Sequence, residues 1–178
     1  MSWYCDVAPG HPFHGPYHDE EYGFPLTAES GLFERLSLEV FQAGLSWEIV
    51  LKKRDGLRRA FADFDVDRVA SFDEGDLARL MADPAIIRNR RKIEATIENA
   101  RRIAGLRRTG EGFAAWIEAG HPMSKEEWVR RFRATFVFMG GEVVGEFLMS
   151  IGYLPGAHRD DCPVARRIAA CAPAWLRS

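Results

Sequence analysis

Apolar residues along this chain recur at the 3.6-residue spacing of helices, and strand-like alternation is nearly absent. Leu32, Phe33, Leu36, Val40 and Phe41 share one face after the polar start Thr27-Ala28-Glu29, and Gly44 is placed to end that helix. Ser46 is positioned to cap the next helix, which carries Trp47, Val50 and Leu51 into a run of basic residues. Asp73 caps a short helix bearing Leu77, Leu80 and Met81, after which Pro84 forces a turn. Ile93, Ile97, Ala100, Ile103 and Ala104 resume the helical spacing, followed by Phe113, Trp116 and Ile117. Ser124-Lys125-Glu126-Glu127 reads as a capping box for a helix with Trp128, Val129 and Phe132. The last substantial helix is predicted over about 142–150, between Gly140-Gly141 and Gly152. The run Thr135-Phe136-Val137-Phe138-Met139 is the best strand candidate, and a lone strand has no partner to stabilise it.

The pattern therefore predicts an all-α chain, a single compact domain over residues 1–178. Its ends, 1–25 and 153–178, are rich in Pro, Gly, His and Cys and poor in helical periodicity, so something other than the core must order them. A length of 178 residues suffices for one core, and 47% hydrophobic with 28% charged residues is the composition of an ordinary soluble protein. No apolar stretch approaches the roughly 20 residues that span a bilayer. The start, Met1-Ser2-Trp3-Tyr4-Cys5-Asp6, lacks the basic and apolar segments of a signal peptide, so a cytoplasmic location is expected, with no membrane partner.

A net charge of -2 argues against indiscriminate nucleic-acid binding, yet the charges are unevenly placed. Lys52, Lys53, Arg54, Arg58 and Arg59 form one basic run, and Arg88, Arg90, Arg91, Lys92, Arg101, Arg102, Arg107 and Arg108 another. Acidic residues gather around 19–21 and 63–76. Either the molecule has a positive side or these are solvated helix faces; charge alone leaves both open.

Three cysteines, an odd number, argue against a disulfide framework. Cys5 and His18 lie in one irregular end, and His158 and Cys162, at H-x-x-x-C spacing, in the other. Two thiolates and two imidazoles make a closed tetrahedral zinc site of the structural kind, with no open position for a water. Such a staple closes a loop of nearly the whole chain, worth on the order of 4–5 kcal/mol by analogy with a crosslink of that length. Spacing alone equally allows chance coincidence, with His11, His14 and Cys171 as competitors. Cys171, in Ile168-Ala169-Ala170-Cys171-Ala172, reads as a buried small hydrophobe. His11 and His14, flanked by Gly10, Pro12 and Gly15, read as loop surface.

Several segments, in order, are similar to the bacterial DNA-3-methyladenine glycosylase I family. They are Tyr17-His18-Asp19-Glu20-Glu21-Tyr22-Gly23, Leu38-Glu39-Val40-Phe41-Gln42-Ala43-Gly44-Leu45-Ser46-Trp47 and Leu51-Lys52-Lys53-Arg54. Ile86-Ile87-Arg88-Asn89-Arg90-Arg91-Lys92-Ile93 and Phe136-Val137-Phe138-Met139-Gly140 complete the set. The resemblance implies a helical fold related to the helix-hairpin-helix glycosylases, with Cys5, His18, His158 and Cys162 at the ligand positions of a structural zinc. It also implies Glu39 as the residue that hydrogen-bonds the extruded base, Tyr17 as a second pocket contact and Trp47 as the stacking platform. The stretch around Ile86 to Lys92 corresponds to the hairpin that holds the DNA backbone, and Lys52, Arg54, Arg88 and Arg91 are the expected phosphate contacts.

The expected enzyme acts as a monomer on duplex DNA with alkylated bases and uses no redox cofactor; no Lys occupies an obvious Schiff-base position, so a monofunctional glycosylase that leaves an abasic site without strand cleavage is expected. A base within a duplex is out of reach, so the nucleotide must be rotated into an aromatic-walled pocket. Methylation at N3 makes adenine cationic, a good leaving group that an anionic carboxylate distinguishes from neutral adenine. Where the family has Gly and an aromatic after the first cysteine, this chain has Asp6-Val7, leaving Trp3 or Tyr4 to supply that wall. Glu142 stands where the family has Thr and Gly145 where it has Tyr; Glu142 either favours a helix start or enters the pocket. The alternative function is a weakly catalytic or non-catalytic lesion binder. A zinc hydrolase would need the open metal position that four protein ligands do not leave.

Overall fold

The helix predicted from Leu32 to Phe41 is the axis of the molecule, a computed structural model describing residues 3–177. It spans Glu29–Gln42 (α3), and every residue from Leu32 to Phe41 is buried. A helix covered on all sides has neighbours all round. Around it lie α4 (Trp47–Ala60), α5 (Val66–Ala70), α7 (Arg90–Thr109), α8 (Phe113–Glu118) and α10 (Gly141–Ser150). Beyond these, α6 (Glu74–Ala82) leans on α7 and α9 (Lys125–Thr135) on α10. Phe33, Phe41, Phe61, Phe64, Phe113, Phe132, Phe147 and Trp128 fill the space between them and are inaccessible to solvent. Truncating one of these rings to Ala would cost about 3–5 kcal/mol in lost transfer energy and cavity. None of the described residues is in a strand, and none of the helices is long and apolar enough to cross a membrane.

The local signals hold at the helix ends. Ser46 Oγ accepts from the Ile49 amide at 3.3 Å, Asp73 accepts from Gly75 and Asp76, and Ser124 and Glu127 form the reciprocal capping box. Gly44, at φ +79°, turns the chain out of α3. Lys92 departs from the expectation of a solvated basic face. Its ammonium is buried and donates to the Phe41 and Ala43 carbonyls at 2.8 and 2.5 Å, capping the C-terminus of α3.

The ends are more regular than their composition suggests. They contain α1 (Tyr4–Val7), α2 (His14–Glu20) and α11 (Pro163–Ala170), so 142–150 is not the last substantial helix. Pro163 at the first turn and the buried Val164–Ile168 pair were the signals for α11. Cys171, just past that helix, is exposed rather than buried. The 135–139 run forms no strand. α9 ends at Thr135, Phe138 takes φ +63°, and Asn99 stands in for a strand partner, accepting from the Val137 amide at 2.9 Å and donating to its carbonyl at 3.1 Å.

Candidate active site and metal centre

Two carboxylates on α3, Glu34 and Glu39, are buried among its apolar residues. Glu39 is 6% exposed and has no hydrogen-bond or ion-pair partner among the described residues, although polar side chains so placed are normally satisfied. It opens into a cavity of about 660 Å³, the size of a small-molecule site. Tyr4 from α1, His14 and Tyr17 from α2, Tyr22 just after it, Trp47 at the start of α4, and Glu142 and Glu146 from α10 complete the walls. The loop 43–46 closes one edge, held by a Gln42 Nε2 bond to the Leu45 carbonyl at 2.8 Å.

The aromatic rings brace one another. Tyr17 lies 5.1 Å from Trp47 and stacks on Tyr22 at 5.7 Å, and Tyr4 meets Tyr22 edge-on at 5.6 Å. Tyr17 OH accepts from Arg35 Nη1 at 3.2 Å, and burial pushes the phenol up to about 12. Of the two candidates for the missing wall, Tyr4 lines the cavity; Trp3 instead lines a separate cavity together with Gly156, Arg159 and Trp175. His14 also lines the cavity and bonds Tyr4 OH at 3.1 Å, so it is not loop surface. Glu142 is exposed in the first turn of α10 and is also among the residues lining the cavity.

Burial is the largest influence on Glu39, followed by the like charge of Glu146; Arg35 offsets them only in part, and the carboxyl is pushed up to about 8. Glu146 is likewise raised by burial, against a hydrogen bond from Tyr22 OH at 3.1 Å. Glu146 was missed in the sequence because its helical spacing gives it no distinction from a surface carboxylate.

Across the termini, Cys5, His18, His158 and Cys162 bring one donor atom each within 4.8 Å of all the others. Cys5 Sγ and Cys162 Sγ lie 3.6 and 3.7 Å from His158 Nδ1, and Cys162 Sγ lies 3.8 Å from His18 Nε2. Tetrahedral bonds of about 2.3 Å to sulfur and 2.0 Å to nitrogen would put such atoms about 3.5 Å apart, so the donor set has the dimensions of a metal centre. The outer ring nitrogens are engaged too, His18 Nδ1 with Asp19 at 2.6 Å and His158 Nε2 with the Tyr22 carbonyl at 2.6 Å. Each imidazole is thereby oriented with its other nitrogen toward the centre. His11, His14 and Glu48 also converge, but Glu48 is tied to Lys52 at 2.5 Å and His14 Nδ1 to Tyr4.

The four expected phosphate contacts are not equivalent. Arg54 is buried: its Nη1 and Nη2 bind Glu21 at 2.9 and 2.8 Å while Nε and Nη2 also bind Glu34, so its guanidinium has no face left for DNA. Its place among DNA contacts is corrected to that of a structural ion. Lys52 is exposed and paired with Glu48. Arg88 and Arg91 are exposed on the turn before α7 and its first residues, without ion pairs among the described residues. Much of the second basic run is spent internally, Arg101 on the Ala70 and Phe72 carbonyls and Arg107 on Asp67.

Comparison with known proteins gives this arrangement a lineage. The methyladenine glycosylase family model matches residues 7–134. DNA-3-methyladenine glycosylase 1 of Escherichia coli K12 is 44% identical over 113 residues, 64% of this chain, and the match spans 60% of that relative. DNA-3-methyladenine glycosylase of Haemophilus influenzae is 34% identical over 166 residues, covering 83% of this chain and 89% of the relative. A crystal structure of 3-methyladenine DNA glycosylase I superimposes with a TM-score of 0.82 at 34% identity, over 89% of this chain and 97% of that one. With more than half its length matched by one family model, with relatives of the same name and with the fold shared, the chain belongs to the methyladenine glycosylase family.

Proposed function

We propose that this chain is a monofunctional DNA-3-methyladenine glycosylase. The observation that carries the reading is Glu39, a buried carboxylate without a protein partner at the wall of an aromatic cavity of base size. A 3-methyladenine nucleotide rotated out of the duplex would stack against Trp47 and Tyr17 and offer its amino hydrogens to Glu39. Its positive charge meets the carboxylate, favouring the ionised form that burial otherwise opposes. The C1′–N9 bond then breaks with its electron pair passing to the base, which departs neutral. Water adds at C1′, a proton is released, and an abasic site remains. Because the base is already cationic, the pocket need supply no strong general acid, and electrostatic stabilisation can carry much of the rate.

The duplex would be held by Arg88 on the turn before α7 and Arg91 in its first turn, with Lys52 exposed on α4, all on one monomer. Cys5, His18, His158 and Cys162 would hold one structural zinc, joining α1 and α2 to the C-terminal segment. Through His158 and the Tyr22 carbonyl that centre would also steady an aromatic wall of the pocket.

Incubation with methylated duplex DNA tests the activity: release of 3-methyladenine with an abasic strand left uncleaved is expected, and no released base would refute it. For the metal, one equivalent of zinc in purified protein and a lowered melting temperature for Cys5→Ser are expected. Absent zinc, or an equally stable variant, would remove the staple.

A further inference from the structure

Glu146 has no part in the mechanism above, yet it shares the cavity with Glu39. It stands on α10, the helix packed against α3, and is half-buried. Tyr22 OH donates to its Oε2 at 3.1 Å; its other oxygen has no partner among the described residues. An amide in its place would satisfy Tyr22 equally well without setting a like charge near Glu39, so local structure does not call for a carboxylate here. Two walls of one cavity therefore present oxygen acceptors, and on one of them Glu39 is more than nine-tenths buried and unpartnered. Ionised carboxylates only accept hydrogen bonds.

The six-position of adenine carries an amino group with two hydrogens, whereas that of guanine carries an acceptor oxygen. We propose that Glu146 is a second base-reading carboxylate: with Glu39 it takes the two hydrogens of the exocyclic amino group of a cationic 3-methylpurine, and so sets the pocket for the 6-amino purine against the 6-oxo one. The inference rests on the glycosylase reading. A monocation entering between the two groups relieves their mutual repulsion, which Arg35 beside Glu39 and Lys125 near Glu146 offset only in part. A 6-oxo base leaves its oxygen facing two acceptors, and a site built to bond one pattern strongly rejects the other.

Duplex DNA treated with a methylating agent carries both 3-methyladenine and 3-methylguanine, and chromatography of the released bases measures the preference. Wild type should release 3-methyladenine in large excess. Glu146→Gln keeps the acceptor for Tyr22 and offers an N–H to a 6-oxo group, so the ratio of 3-methylguanine to 3-methyladenine released should rise at least about tenfold, the effect of one mismatched hydrogen bond. Glu146→Ser should relax the preference in the same direction. An unchanged ratio in both folded variants overturns the inference. If wild type releases neither base, the glycosylase reading fails, and Glu146 is judged by tryptophan-fluorescence titration with free 3-methyladenine and 3-methylguanine. The same relaxation of preference is expected there, and equal discrimination by wild type and Glu146→Gln overturns the inference.

Discussion

Glu34 and Glu39 lie five residues apart on one helix, both buried, and the protein treats them in opposite ways. Glu34 sits in a network with Arg54 and Arg58: burial pushes its carboxyl up, but hydrogen bonds and charge from the two guanidiniums outweigh this and hold it below the ordinary range. Glu39 has nothing comparable, since Arg35 is spent on Tyr17, the Ser150 carbonyl and Glu21, and its carboxyl rises to about 8. The same residue type is a structural ion where its partners come from the protein, and in the proposed function it is a binding group where the partner must come from outside. A pocket of this kind is expected to cost stability in the free protein.

Breaking the satisfied half should have the largest effect. Glu34→Gln leaves Arg54 and Arg58 short of a counter-charge, and loss of about 3 kcal/mol is expected, a fall of roughly 6–12 °C in melting temperature. Excision per folded molecule should be little changed. A melting temperature within about 1–2 °C of wild type would mean that the network contributes almost nothing.

The pH dependence of stability should separate the two carboxylates by sign. For Glu34 the folded value lies below the unfolded one, so its stabilisation is present above about pH 4.5 and is lost as pH falls through the folded value. For Glu39 the folded value, about 8, lies above the ordinary value of 4.5; stabilisation from its retained proton is full below pH 4.5 and is lost as pH rises to about 8. Glu39→Gln should therefore stabilise the protein most at about pH 8–9 and less toward pH 5, as thermal melts across that range would read. A destabilised Gln variant at pH 8 would mean that Glu39 has an internal partner.

The arginines extend the contrast with the smallest effect. Arg54→Gln should lower the melting temperature and leave the salt dependence of DNA binding unchanged, because that side chain is enclosed. Arg88→Gln and Arg91→Gln should leave stability unchanged and each lower the slope of log affinity against log salt by about one. A reduced slope for Arg54→Gln alone would place DNA against the buried network instead.

The sequence carried most of the fold because the core helices announce themselves by period and cap: Ser46, Asp73 and Ser124 each do what their spacing foretells. α11 was lost because its eight residues lie among prolines, cysteines and charges, where two apolar positions make a weak period. Glu39, Tyr17 and Trp47 converge on one cavity, and Cys5, His18, His158 and Cys162 on one point. Those groupings were legible through family resemblance rather than periodicity, which marks Trp47 and Tyr17 only as core. Arg54 went astray for a physical reason: within Leu51-Lys52-Lys53-Arg54 its helical position turns it inward toward Glu21 and Glu34, and a charge run does not say which member is buried. Lys92 was misread in the same way, and Glu146 and His14 became visible only when the cavity assembled them.

The most direct measurement is single-turnover release of 3-methyladenine from methylated duplex DNA by wild type and Glu39→Gln, at pH 8 or above, where the wild-type carboxyl can ionise. The amide keeps the shape and loses the charge, so the rate should fall by about thirtyfold to a hundredfold, equivalent to roughly 2–3 kcal/mol. Duplex affinity should be preserved and the melting temperature should not fall. Equal release by the two proteins would contradict the assignment of Glu39 as the group that recognises the cationic base.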